Sequence, residues 1–141
     1  MKAVLSISLS LLASLFVYPG LSQETLKPIA PKFKPDPIVM EGMVEGTIPL
    51  GKVAPSEKKC PGFGNPKPTY ILPLKSDFAY LNLKVKGEGL VLLVDGPDGI
   101  FCRPDNGEIS GMWKAGNYQI WIGTKQKNKS KYRLSLSESN Q

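Results

Sequence analysis

The 141-residue sequence contains no histidine. That absence removes the usual Ser/His/Asp and Cys/His nucleophile arrangements, together with the commonest zinc and iron sites. Cysteine is scarce as well, with Cys60 and Cys102 alone, and a metal held by that pair would need further soft or imidazole ligands that are missing. Sustained helical periodicity is lacking beyond the first residues, so little helix is expected. Long apolar runs are lacking too: the stretch from Ala3 to Tyr18 is the longest, and it is shorter than the roughly 20 residues a spanning helix needs. These absences argue against the histidine-dependent enzyme classes and against a membrane-spanning helix.

What is present begins with an export signature. Met1 and Lys2 precede the apolar run, Pro19-Gly20 break it, and Leu21-Ser22 supply small residues where a signal peptidase would cut. Residues 1–22 are therefore read as a signal peptide cleaved after Ser22, and the absence of cysteine near that point argues against a lipid anchor. A secreted or periplasmic protein follows, in which two cysteines are expected to form a disulfide across a loop of about forty residues.

The formal net charge is +6, and roughly +5 once Lys2 is removed. The lysines are dispersed over "KFK", "EKK", "LKVK" and "KQKNKSK", which reads as a solvated surface and not as a nucleic-acid groove. Weak attraction to an anionic cell surface or polysaccharide remains compatible with that charge. The densest run, Lys125 to Lys131, is expected as a solvated hairpin tip. Its Asn128-Lys129-Ser130 is a glycosylation acceptor only in a eukaryotic secretory pathway.

Residues 23–37, "QETLKPIAPKFKPDP", carry a proline every few positions and predict an extended, flexible arm. From Ile38 to Gln141 short apolar runs alternate with glycine- and proline-containing turns. In "AYLNLKVKG" Leu81, Leu83 and Val85 share one face, with Tyr80, Asn82, Lys84 and Lys86 on the other; in "NYQIWIG" Tyr118, Ile120 and Ile122 share a face; in "KYRLSLSE" Tyr132, Leu134 and Leu136 face in, with Lys131, Arg133 and Ser135 facing out. The run Gly89 to Gly96 is apolar on both faces, as in a central strand covered twice. Further strands are expected at about 39–48, 69–74, 100–102 and 109–113. About eight strands in some hundred residues predict an all-β fold: one two-sheet antiparallel sandwich, jelly-roll-like.

The last sixty residues carry a recognisable pattern. A strand ends in the turn Gly96 to Gly99 and leads to Cys102, then to Trp113, to Gly116, Tyr118, Trp121 and Gly123, and to a closing strand with Tyr132, Leu134, Ser137 and Glu138. This resembles the bacterial pre-peptidase C-terminal domain group. The resemblance implies a β-sandwich module found beside secreted peptidases or as a small exported protein, aiding secretion, attachment or stability without being an enzyme. The chain departs from the pattern after the cysteine: in Cys102-Arg103-Pro104-Asp105-Asn106 an amide and an arginine accompany one acid of the family's pair.

Two candidate sites emerge. The stretch "DGPDGIFCRPDNGE" could offer Asp95, Asp98, Asp105, Asn106 and Glu108 to calcium, although Pro-Asp-Gly and Asp-Asn-Gly are also what turns require. No other cofactor is expected. Alternation places Trp121 opposite Ile120 and Ile122, where with Tyr80 and Asn82 it would form an aromatic platform for a sugar ring, unless the arm or a loop covers it. Trp113 reads as a core plug. Two functions follow: a non-enzymatic exported module binding an envelope polysaccharide or an exported protein, or a calcium-stabilised accessory domain of the envelope.

Overall fold

The computed structural model describes residues 23–54, 60–105 and 107–141. The signal-peptide reading for residues 1–22 therefore lies outside the described residues, as does the candidate ligand Asn106. The elements run β1 Glu24–Thr25, β2 Ile38–Glu45, β3 Ile48–Pro49, α1 Leu50–Val53, β4 Phe63–Gly64, β5 Tyr70–Leu74, β6 Phe78–Lys86, β7 Leu90–Gly96, β8 Gly99–Arg103, β9 Glu108–Trp113, β10 Gly116–Thr124 and β11 Lys129–Ser137. They form a seven-stranded and a four-stranded sheet. All eight strands expected from alternation are present. The additions are three two-residue strands and one helical turn, each too short to leave a periodic signal.

In the larger sheet β10 is the hub. One of its edges pairs with β5 through residues 116–120 and with β4 at Thr124, while the other pairs with β7, which in turn carries β8. The smaller sheet has the order β2-β11-β6-β9. Its centre is the last strand of the chain, held between β2 and β6.

The sheets meet through the faces that alternation selects. Leu81, Leu83, Val85, Leu134 and Leu136 of the small sheet pack on Leu72, Leu92, Ile120 and Ile122 of the large one. β7 is buried on both sides, as its composition predicts: Leu90, Leu92 and Val94 enter this main core, and Val91 and Leu93 enter a second one. A buried hydroxyl pair, Tyr70 to Tyr132 at 2.7 Å, ties β5 to β11 across the sandwich. Opposite Tyr132 in register stands Gly42, where a Cβ would lie 2.6 Å from the phenol oxygen. The glycine makes room for the tyrosine pair.

Residues 23–37 depart from the expectation of a free arm. β1 pairs in parallel with β5, Ile29 is buried and bridges to Leu74, and the Phe33 ring meets the edge of Phe78 at 6.1 Å. The Lys32 amide donates to both carboxylate oxygens of Glu138 at 2.8 and 3.0 Å, and the Glu138 amide donates to Asp36 Oδ2. Proline fixes an extended backbone that suits an outer sheet edge. The apolar residues between the prolines anchor it there.

Burial pushes the phenols of Tyr70, Tyr118 and Tyr132 above their ordinary range; for Tyr70 the bond to Tyr132 adds to this, and for Tyr118 the Asp98 charge does. A folded phenol that holds its proton more tightly than the unfolded one stabilises the fold below about pH 10 and loses that contribution as pH rises further. The denaturant midpoint is therefore expected to fall above about pH 10, in step with delayed tyrosinate absorbance. Tyr70→Phe should weaken both effects, and an alkaline midpoint equal to the neutral one would contradict the assignment.

Candidate functional site

The three residues proposed as a sugar platform are not brought together. Trp121 lies on the outer side of the large sheet, where the segment of α1 and the Cys60–Cys102 disulfide cover it. It is 4% exposed, packed with Leu50, Ala54, Cys60, Val91 and Leu93. Its Nε1 is buried with no hydrogen-bond partner among the described residues. Alternation set its direction correctly, and the lid removes it from solvent. Trp113 is a core plug as expected, with its ring 4.8 Å from that of Tyr118.

Tyr80 and Asn82 project from β6 on the outer side of the small sheet. Asn82 is nevertheless fully buried, because the C-terminal residues fold over it. Gln141 Nε2 donates to Asn82 Oδ1 at 2.8 Å, Asn82 Nδ2 donates to Glu108 Oε1 at 2.6 Å, and Lys84 Nζ donates to the Gln141 main-chain oxygen at 3.1 Å. Tyr80 reaches Asn140 Oδ1 at 3.4 Å.

The acids from Asp95 to Glu108 are dispersed. Gly96 and Gly99 pair across a two-residue turn, Pro97-Asp98, that closes the β7–β8 hairpin. Asp95 sits on β7, half-buried. Asp98 faces Lys114 at 3.5 Å, Asp105 pairs with Lys125, and Glu108 accepts from Asn82. Among the described residues no three of His, Cys, Asp and Glu gather as metal ligands. The stretch contains the β7–β8 turn, and Asp98, Asp105 and Glu108 are each drawn to a separate cation or amide.

The open, charged surface is the outer face of the small sheet. β6 contributes Lys84 and Lys86, and β11 contributes Lys129, Lys131 and Arg133, with Arg133 directly opposite Lys86. On the other flank β2 sets Glu45, Met43 and Glu41 opposite those three β11 cations. The Arg133–Glu41 contact is loose, at 3.8 Å between exposed groups. Met43 is 60% exposed beside them. A cationic row with an acidic, methionine-bearing margin results.

The basic loop divides its lysines. Lys125 pairs with Asp105, Lys127 sits 5.2 Å over the Phe63 ring, and Ser130 Oγ donates to the Glu88 carbonyl. Lys129 and Lys131 continue into β11 and the sheet face. Sequence reasoning placed Lys84, Lys86, Lys131 and Arg133 outward but could not join them, because the register of β6 against β11 spans almost fifty residues and carries no local signal.

No family model matches the chain. A segment of 63 residues is 38% identical to an uncharacterised protein of Synechococcus elongatus, covering 41% of this chain and 47% of that protein. The chain thus matches about half the length of this relative. Among solved structures, that of PliG from Aeromonas hydrophila, a periplasmic inhibitor of g-type lysozyme, is similar with a TM-score of 0.44 and 13% identity, over 82% of this chain and 98% of that one.

Proposed function

We propose that this chain is a non-enzymatic exported binding module that docks another exported protein on the outer face of its four-stranded sheet. The observation that carries this reading is the cationic row Lys86, Lys129, Lys131 and Arg133, of which, among the described residues, only Arg133 meets a carboxylate, and that loosely. Exposed charges of one sign steer an oppositely charged partner over about one Debye length, roughly 8 Å at physiological salt. The acidic margin and exposed Met43 favour a protein over a polyanionic glycan, since Glu41 and Glu45 would repel a uniform polyanion. Burial of Trp113 and Trp121 also leaves no indole on which a pyranose could stack. Export rests on the leader-like residues 1–22, and the non-enzymatic role on the absent histidine and the pre-peptidase C-terminal resemblance.

A photo-crosslinking residue at Ser135, in the same outward row, tests the reading in the exporting cell. A discrete, protease-sensitive adduct is expected, its yield falling several-fold in Lys86→Glu/Lys131→Glu. A polydisperse, protease-resistant adduct would make the partner a glycan, and an adduct indifferent to the charge reversal would remove the face from the site.

A further inference from the structure

We propose a second docking site at the open side of the sandwich, between β8 and β9: one extended segment of a partner protein adds as a strand to β9, seating an apolar side chain in the cavity there and a carboxylate two residues away against Arg103. This site is separate from the basic sheet face, and neither reading depends on the other.

Among the described residues β8 pairs with β7 alone and β9 with β6 alone, so each sheet ends there. An unpaired edge offers a row of backbone donors and acceptors, and proteins usually blunt such edges with lysine or proline. β9 carries neither. Its pairing with β6 is regular from Ile109 to Gly111, the register shift falling nearer Trp113. Met112 beside it is 81% exposed, the most exposed large apolar side chain described.

The gap between the two edges holds a cavity of about 140 Å³. Val94, Phe101, Ile109 and Trp113 form apolar walls, and Arg103, Asp98 and Ser110 bring polar groups to it. Clefts for small molecules run to about 300–1,000 Å³, so this one suits a single side chain. A strand added to β9 would send alternate residues into that gap. Backbone pairing with one pocketed side chain is how sheet edges recognise peptides.

Charge then selects the neighbouring residue. Asp98 already has Lys114. Arg103 donates to its own Cys102 carbonyl at 3.1 Å and, among the described residues, has no carboxylate partner. The uncompensated charge at the mouth is positive. Residues i and i+2 of a strand point the same way, about 6.8 Å apart, which gives the pattern apolar-x-acid. A glycan supplies no backbone ladder for the edge, so the chemistry is that of a peptide.

The blocked peptide TFTETT, titrated into the isotope-labelled protein, is expected to shift the amides of residues 109–113 and the Trp113 indole. TFTKTT should bind about threefold to fivefold more weakly, the range of an exposed ion pair. Arg103→Glu, at an exposed position, should reverse that preference, while Lys86→Glu/Lys131→Glu leaves it unchanged. Equal binding of the two peptides, shifts confined to residues 84–86 and 129–135, or no shifts at about 1 mM peptide would each overturn the proposal. So would edge shifts that disappear on dilution without peptide, which would mean that a second copy occupies β9.

Discussion

Replacing both bridge cysteines, as Cys60→Ser/Cys102→Ser, is expected to lower the unfolding free energy in urea by about 4 kcal/mol, from the chain-entropy treatment of a loop this long. The bridge joins residues 42 apart in sequence and links the start of the segment leading to β4 with β8. Total stabilities of single domains are about 5–15 kcal/mol, so the variant should sit near the edge of folding at elevated temperature. Because Cys60 packs directly in the second core, the folded remnant should also show a red-shifted tryptophan component as Trp121 meets water. A loss below about 1 kcal/mol would mean that packing alone holds the lid down.

The second large effect concerns the residue that the lid covers. Trp121→Ala is expected to cost about 3–5 kcal/mol, as large aromatic truncations in cores do. A solvent-facing sugar platform would instead lose ligand affinity with stability unchanged, so one urea curve separates the two roles. Trp121→Phe should cost less than about 1.5 kcal/mol. It keeps most of the ring and removes an indole N–H that is buried without a partner among the described residues, which offsets part of the lost volume. Similar losses for the two variants would place the energetic role elsewhere than in the filled volume.

The fold was legible wherever a single strand carries its own instructions. Leu81, Leu83 and Val85 declare their inward face by alternation, and the unbroken apolar run of β7 declares that it has two. What covers the second side of β7 was not readable. The residues that do so, Leu50, Ala54 and Cys60, lie in a segment with one helical turn and no period, and their placement depends on a bond to a strand formed some forty residues later. The same limit explains the site. Outward lysines were assigned one by one, but a surface is defined by neighbours, and those are set by which distant strands pair. The acidic stretch was ambiguous because turn chemistry and calcium chemistry use the same side chains; in the structure Asp98, Asp105 and Glu108 each take a different partner, Lys114, Lys125 and Asn82. The arm from 23 to 37 was misjudged because proline density was weighed and the anchors Leu26, Ile29 and Phe33 were not.

The place of β11 governs how the small sheet closes. Among the described residues β2 pairs with β11 alone, while β6 pairs with both β11 and β9, so β2 joins the small sheet through β11. Contacts this distant in sequence close slowly. The docking of β2 onto its sheet therefore waits on β11, a strand far along the chain.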